Sequence, residues 1–507
     1  MRISMMLMIS GGKKMFAVKK KLLSIILMLL VSTLATWAQP PDSTGMILVG
    51  GPAEDYGYGI DKTSDGGLII TGITASYGAG SWDVWLVKFS ANDEKEWDQT
   101  LGGANIEMGR SVRETADRGY IIAGVSESYG EGGQDAYLVK TDDNGQVAWE
   151  MSYGGSEDDL ANSVRQCPDG GYILVGRTKS WGSGGYDLLL LKTDDQGNEE
   201  WHQTFGGTAN DYGYRVEVIP DSGYIVSGYT ESFGSGKADL WLLKVDTNGE
   251  EIWSRTYGGS SNDFGGCVRI LEGEGYIISG ETHSYGSGKG DIWLIKTDTD
   301  GDILWDRTYG GSELDGGFPT IGATDGSYII SGWTKSDSQG EADILIIKTD
   351  EDGEEIWSKT YGGPGDDRAL DIVELSDGGF VLTGYGKSNN DENYDTILIR
   401  LNEYGDAITG MGRITTTGEV LTYELSEPYP NPFNDQTRLT FTLPTTSKVD
   451  LAVYDIRGRL VAELTGKYYS AGQHTIGFKA DNLASGVYFI NMKSGNWVTT
   501  KKCTLLR

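Results

Sequence analysis

The sequence predicts an all-β protein, a seven-bladed β-propeller followed by a small Ig-like β-sandwich. A 52-residue unit recurs seven times without an insertion, and each unit holds four short β-strand patterns separated by glycine-rich turns. No window carries an apolar period of 3.6 residues long enough for a helix. The predicted domains are a signal peptide at 1–38, the propeller at 45–402, a linker at 403–425 and the sandwich at 426–507.

The N-terminus has the order of a secretory signal peptide. A basic region that includes Lys13, Lys14 and Lys19 precedes an apolar run at 22–34, and small residues follow up to Ala38. The alternative is a membrane anchor, but the run is shorter than the ~20 residues that a bilayer core requires. We therefore expect cleavage and no integral membrane segment afterwards.

Charge and composition exclude several classes of protein. The formal net charge is −32, and the acidic excess lies between residues 39 and 423, so a nucleic-acid-binding surface is not expected. Three Cys and three His in 507 residues indicate neither a disulfide scaffold nor a zinc site. The three His residues occupy unrelated positions of the repeat, and no Ser or Cys has a His at a recognisable catalytic spacing. No catalytic residue is predicted.

The repeat is fixed by glycine, serine and aspartate positions that all step by 52. The second glycine of a Gly-Gly pair recurs at Gly51, Gly103, Gly155, Gly207, Gly259, Gly311 and Gly363. Four strands per unit are typical of a propeller blade, so seven units predict seven blades. Met46–Val49 precedes the first unit with the phase of a fourth strand, and we expect it to complete the seventh blade beside residues 396–401. The rival interpretation is an open β-solenoid.

The predicted strand order brings two connections of each blade to one face. These are the segment after the Gly-Gly pair and the Ser-aromatic-Gly loop between the second and third strands. The opposite face receives only tight turns. Binding residues usually lie on the longer loops of a rigid scaffold, so the glycine-rich face is the candidate binding face.

An acidic residue stands near the start of each predicted innermost strand. The seven positions are Asp55, Glu107, Asp159, Asp211, Asp263, Asp315 and Asp367. Converging carboxylates could hold Ca²⁺, which prefers oxygen ligands. The alternative is that each carboxylate caps its own turn by accepting backbone N–H groups, and sevenfold repetition favours the cap. No other cofactor is expected.

Aromatic residues form a second candidate ring on the same face. They are Tyr77, Tyr129, Trp181, Phe233 and Tyr285, and the pattern is lost at Asp337 and Asn389. Aromatic side chains on loops can stack on sugars, or they can cover the rim of a blade. They are the predicted ligand-binding residues.

The turn Asp-x-x-Gly-x-x-x-Trp, as in residues 298–305, resembles the repeats of quinoprotein-like and kelch-like β-propellers. In those families the aspartate closes a hairpin and the tryptophan packs between neighbouring blades. The resemblance therefore implies a fold and no activity.

The last segment resembles the type A C-terminal sorting domain of proteins exported by the type IX secretion system. Matching pieces lie at 429–434, 453–459, 471–472, 483–488 and 501–507, and short alternating strands between them predict the sandwich. The resemblance implies export across the outer membrane of a Gram-negative, Bacteroidetes-like bacterium, with the secretion machinery as partner and an extracellular or surface-attached product.

These features predict a non-enzymatic, secreted or surface-displayed propeller that binds a glycan or protein. One alternative is an enzyme that acts on extracellular polysaccharide with carboxylates of adjacent blades as acid and base. The other is a structural protein of the cell surface or matrix.

Overall fold

The computed structural model describes residues 46–338, 340–387, 393–408, 424–426, 428, 430–434, 436–443, 447–469, 472–480, 483–494 and 497–506. All regular structure in these residues is β-strand or turn, and the described part contains no helix that could cross a membrane. The predicted signal peptide at 1–38 and most of the predicted linker, residues 409–423, lie outside the described residues.

Twenty-nine strands form seven antiparallel sheets before the linker. Strand β1 is Met46–Val49. Sheet 1 contains β2 (Asp55–Lys62), β3 (Leu68–Thr74), β4 (Asp83–Phe89) and β5 (Lys95–Leu101). Sheet 2 contains β6 (Glu107–Glu114), β7 (Tyr120–Ser126), β8 (Asp135–Thr141) and β9 (Val147–Tyr153). Sheet 3 contains β10 (Asp159–Gln166), β11 (Tyr172–Thr178), β12 (Asp187–Thr193) and β13 (Glu199–Phe205).

The remaining sheets repeat this order. Sheet 4 contains β14 (Asp211–Ile219), β15 (Gly223–Thr230), β16 (Asp239–Val245) and β17 (Glu251–Tyr257). Sheet 5 contains β18 (Asp263–Leu271), β19 (Gly275–Thr282), β20 (Asp291–Thr297) and β21 (Ile303–Tyr309). Sheet 6 contains β22 (Asp315–Gly316), β23 (Thr320–Gly322), β24 (Tyr328–Thr334), β25 (Asp343–Thr349) and β26 (Glu355–Tyr361). Sheet 7 contains β27 (Arg368–Glu374), β28 (Phe380–Gly386) and β29 (Asp395–Leu401), with β1 paired to β29.

Strand β1 joins the two ends of this region. Met46 pairs with Ile399 and Val49 with Thr396 in an antiparallel ladder. The first strands of successive sheets contact one another in chain order, and β2 also contacts β27 and β28 of sheet 7. Apolar side chains of the two central strands of each sheet fill the space between neighbouring sheets, which explains why those strands are apolar along their whole length.

The repeated tryptophan packs between neighbouring sheets, as its motif predicted. Trp253 of β17 lies 6.2 Å from the ring of Tyr276 in sheet 5, and the same pair recurs in four other sheets. The aspartate of the turn also has its predicted role, because Asp298 accepts the backbone N–H groups of Asp300 and Asp302 at 2.9 Å each. These two contacts fix each hairpin against the sheet beside it.

The C-terminal strands form two sheets around a separate core. They are β30 (Glu424–Leu425), β31 (Gln436–Leu443), β32 (Ser447–Asp455), β33 (Leu460–Tyr469), β34 (Gly472–Lys479), β35 (Gly486–Ser494) and β36 (Trp497–Leu505). One sheet has the order β30-β31-β34 and the other β33-β32-β35-β36. Phe441, Leu451, Ile490 and Cys503 are fully buried in this core, so Cys503 behaves as a small apolar residue.

Candidate functional site

Each of the seven predicted acidic residues accepts hydrogen bonds from its own inter-sheet turn. Asp55 accepts the backbone N–H of Gly51 and the hydroxyl of Ser76, each at 2.7 Å. The same N–H contact to the residue four positions earlier recurs at all seven sites. The contact to serine joins the two connections that the sequence assigns to one face, so both lie on that face.

These contacts have the geometry of the capping alternative. A carboxylate that accepts two or more donors of its own turn has fewer lone pairs left for a shared cation. Among the described residues, no group of three or more His, Cys, Asp or Glu side chains is arranged to hold a metal ion. The Ca²⁺ ring was the less favoured of the two alternatives, and in the structure each of its members binds the backbone of a separate turn.

The five predicted aromatic residues lie on the outer part of the glycine-rich face. Tyr77 and Tyr285 are 42% and 46% exposed, and each donates its hydroxyl to a backbone carbonyl, those of Gly50 and Gly258. Each ring packs against an aromatic or histidine side chain of its own sheet: Trp85 for Tyr77, Tyr137 for Tyr129, His202 for Trp181, Trp241 for Phe233 and Trp293 for Tyr285. The rings thus belong to separate sheets and cover the strands beneath them.

A β-bulge in the first strand of six sheets aims one residue away from the ladder. In β2 the register shifts between Gly57 and Gly59, which leaves Tyr58 as the extra residue. The corresponding shifts occur in sheets 2, 3, 4, 5 and 7. In sheet 6 the strand is interrupted at the same place, where Pro319 has no N–H to donate.

Charged side chains of six first strands meet in what we call the central cluster. Its members are Asp61, Arg113, Arg165, Arg215, Glu217, Arg269 and Asp371. Arg165 pairs with Glu217 through two hydrogen bonds of 2.6 and 2.8 Å. Arg215 of sheet 4 lies 3.8 Å from Asp371 of sheet 7, so the cluster connects sheets that are far apart in the sequence.

The central cluster is internally paired. Burial opposes the ionisation of Glu217, but Arg165 and Arg269 outweigh it and hold the pKa of that carboxyl well below its usual range. Burial also lowers the pKa of Arg113 and Arg215. Removing one partner would leave a buried charge unpaired, so these groups form a structural network rather than a free binding surface.

A second group of side chains lies nearer the glycine-rich face, and we call it the aromatic–arginine cluster. It contains Tyr58, Arg110, Arg177, Tyr186, Tyr212 and Tyr214. The guanidinium of Arg110 lies 5.6 Å from the centre of the Tyr58 ring, and that of Arg177 lies 4.6 Å from Tyr186. Tyr214 is 37% exposed and stacks at 6.2 Å on Phe318 of sheet 6. The cluster thereby combines one exposed tyrosine with two cations.

A titratable pair lies beside this cluster, between sheets 5 and 6. The imidazole Nε2 of His283 is 2.7 Å from Oε1 of Glu281. Burial raises the pKa of Glu281, although the hydrogen bond from His283 acts in the opposite direction. A neighbouring cation completes the group, because Arg368 lies 4.4 Å above the ring of Trp333.

Sequence reasoning missed the aromatic–arginine cluster because it singled out what the repeats share. The bulge position is occupied by a different residue in nearly every repeat: Tyr58, Arg110, Asn162, Tyr214, Gly266, Phe318 and Leu370. Scaffold contacts must recur in each sheet, whereas a ligand need not contact every sheet alike. The signal that could have found the site is therefore the variation among repeats, not their agreement.

Comparison with known proteins gives one family match. Residues 427–505 match the model of the secretion system C-terminal sorting domain. A curated relative, the regulatory protein FlaEY of Caulobacter vibrioides, is 26% identical over 164 residues, which are 28% of this chain and 17% of that protein. The chain thus spans a small part of the length of this relative.

Solved structures resemble the chain at low sequence identity. PorZ, described as an essential surface component of the type IX secretion system of Porphyromonas gingivalis, is 13% identical with a TM-score of 0.40, over 87% of this chain and 69% of that one. The β-propeller domain of the Trilobed protease of Pyrococcus furiosus is 9% identical with a TM-score of 0.40, over 68% and 93%. The family match identifies the C-terminal segment. Residues 427–505 are a type IX secretion sorting domain, which directs export to the cell surface or the extracellular space.

Proposed function

We propose that the protein is a non-catalytic binding module that a Gram-negative bacterium exports through its type IX machinery and uses to bind an extracellular saccharide. The seven sheets would be the blades of a closed seven-bladed propeller, with β1 as the closing strand of sheet 7. Support for closure comes from the β1–β29 ladder and from the contact of β2 with β27 and β28. Whether the product is anchored or released depends on processing of the sorting domain.

The observation that carries the saccharide proposal is the exposed ring of Tyr214 within the aromatic–arginine cluster. Sugar rings present C–H faces that pack on aromatic side chains, and polar groups around such a ring fix orientation. The centre of the Tyr214 ring lies 6.0 Å from that of Tyr229 and 6.2 Å from that of Phe318. These aromatic neighbours come from sheets 4 and 6 and make a platform at positions that the repeat does not conserve.

A glycan array with the secreted protein tests this proposal. We expect Tyr214→Ala to weaken binding of the best saccharide about tenfold, which corresponds to the loss of one stacking contact. Tyr285→Ala is the matched control, because its ring is similarly exposed but packs on its own sheet. Equal loss in both variants would instead favour the outer aromatic ring as the site. Absence of any saccharide binding would contradict the proposal.

The enzyme alternative has one specific observation in its favour, the raised pKa of Glu281 beside His283. A carboxyl group with a raised pKa could act as a general acid in glycoside hydrolysis. A hydrolysis screen on the same polysaccharides separates the two candidates. If the protein hydrolyses a polysaccharide, and Glu281→Gln abolishes the hydrolysis but not the binding, the protein is an enzyme and not a binding module.

A further inference from the structure

Two arginines of the aromatic–arginine cluster have no anionic partner in the described part of the chain. Neither Arg110 nor Arg177 takes part in an ion pair there, and the Nε atom of each is buried without a hydrogen-bond partner. Both side chains are only partly exposed. Leaving a buried donor of a charged group unsatisfied is costly, so the position of these two side chains calls for an explanation.

The arginines of the central cluster are the internal comparison. Arg113 lies on β6 like Arg110, Arg165 and Arg269 lie on the first strands β10 and β18, and each of these three is paired with a carboxylate. The chain has 74 Asp and Glu residues against 42 Lys and Arg, so acidic partners are abundant. Two arginines without an ion pair in the described part of so acidic a chain are not a consequence of its composition.

The two guanidinium groups are held in place by aromatic rings. Arg110 lies over Tyr58, while Arg177 lies 4.6 Å from Tyr186 and 4.9 Å from Tyr212. Arg110 and Arg177 are close enough to interact electrostatically with each other and with Tyr214. Cation–π packing fixes a guanidinium while its outward N–H groups stay available.

The acidic surface does not prevent an anion from reaching this place. Exposed charges more than about 8 Å away are largely screened at physiological ionic strength. A guanidinium presents its donors in a fork that matches a carboxylate or a sulfate. The two guanidinium groups of Arg110 and Arg177, rather than the distant acidic residues, therefore determine whether an anion binds here.

We propose that Arg110 and Arg177 form an anion site that binds the carboxylate or sulfate group of an acidic saccharide whose ring lies on Tyr214. The inference deepens the saccharide-binding function proposed above and rests on it. Carboxylate and sulfate share the required chemistry, and the two are separated by experiment.

The test compares dextran, carboxymethyl dextran and dextran sulfate of equal length by calorimetry with the full secreted chain in about 150 mM salt. We expect one or both charged polymers to bind and neutral dextran not to bind. Arg110→Gln and Arg177→Gln should each weaken the binding about tenfold or more, because each removes a charged hydrogen-bond donor. Arg255→Gln is the control, since Arg255 also lies over an aromatic ring, that of Trp253, but on an outer strand.

Melting temperature checks that each variant is folded, and Arg110→Lys and Arg177→Lys keep the charge if a glutamine variant does not fold. Binding that survives both glutamine variants, or equal binding of neutral dextran, overturns the anion site while leaving saccharide binding intact. If no saccharide binds at all, inorganic sulfate is the remaining probe. A sulfate-induced rise in melting temperature that both glutamine variants lose would keep the anion site without the saccharide, and an equal rise in all variants would overturn both.

Discussion

At the scale of single residues, the surroundings of the capping carboxylate Asp367 oppose its ionisation. Burial raises the pKa of Asp367 to about 6, and the nearby charges of Asp343 and Asp366 act in the same direction. A carboxyl group with a raised folded-state pKa contributes stability that is fully present below its unfolded pKa of about 4 and is lost as pH rises through the folded value. The cap thus carries an electrostatic cost at neutral pH.

Asp367→Asn should remove that pH dependence. Relative to the wild type, we expect the variant to gain on the order of 2 kcal/mol in unfolding free energy between about pH 4 and about pH 7. Urea unfolding of the variant and the wild type at both pH values gives their difference in unfolding free energy. A destabilisation by the substitution that does not depend on pH cancels when the two pH values are compared. If the difference in unfolding free energy between variant and wild type does not change with pH, the raised pKa of Asp367 is contradicted.

Asp117→Asn is the control of opposite sign. Burial opposes ionisation of Asp117, but the hydroxyl of Thr115 and the ammonium group of Lys140 outweigh it and hold the pKa of that carboxyl below its usual value. Its stabilising contribution is present above the unfolded pKa and is lost as pH falls. This variant should therefore be less stable than the wild type at neutral pH and approach it in acid.

Single residues also show what sequence reasoning could not reach. The capping role of the acidic residues was predictable, because an Asp near a Gly-Gly turn commonly accepts backbone N–H groups of that turn and the same spacing recurs seven times. Arg110 and Arg177 were not, because only the fold brings a bulge residue of β6 next to the second strand of sheet 3. An unpaired charge is a property of three-dimensional neighbours and leaves no trace in spacing.

At the scale of elements, one glycine per sheet permits the close approach of the first and second strands. In β11, a Cβ on Gly176 would overlap the carbonyl oxygen of Leu160 and lie 2.9 Å from Cα of Ala161. Both obstacles are backbone atoms of β10, so no rotamer change relieves them. The same overlap arises at Gly72, Gly124, Gly228, Gly280, Gly332 and Gly384, which explains why this glycine keeps the repeat phase.

Gly176→Ala should consequently separate β10 from β11. We expect the unfolding free energy to fall by about 3 kcal/mol, the range of substitutions that force backbone shifts. Gly322→Ala at the end of β23 is the control, since its Cβ would meet only Cδ2 of Leu271 at 3.9 Å. Its effect should stay within about 0.5 kcal/mol. Equal effects of the two substitutions in denaturant unfolding would contradict the steric explanation.

At the scale of the whole molecule, the equal spacing of seven units was enough to predict the all-β fold and its successive sheets, six of which have four strands and one five. Each sheet buries its central strands against the next one, so the same apolar and glycine positions must recur in every unit. Function does not need such recurrence. The candidate site therefore lies where the units differ, and the sorting domain was recognised by its own motifs rather than by composition.

The pairing of β1 with β29 connects the two ends of the repeat region, so a substitution in β1 is expected to affect both ends. Ile47 pairs with Leu398 and packs against the core formed by Val49, Val381 and Leu398, so Ile47→Asp places a charge in an apolar contact between the chain ends. We expect a loss of about 3 kcal/mol, with faster hydrogen exchange in both sheet 1 and sheet 7. Ile356→Asp, at a position that is 55% exposed on β26, should change neither. Exchange that rises only within β1 would mean that this strand does not hold the ends together, and the proposed closed propeller would have to be abandoned.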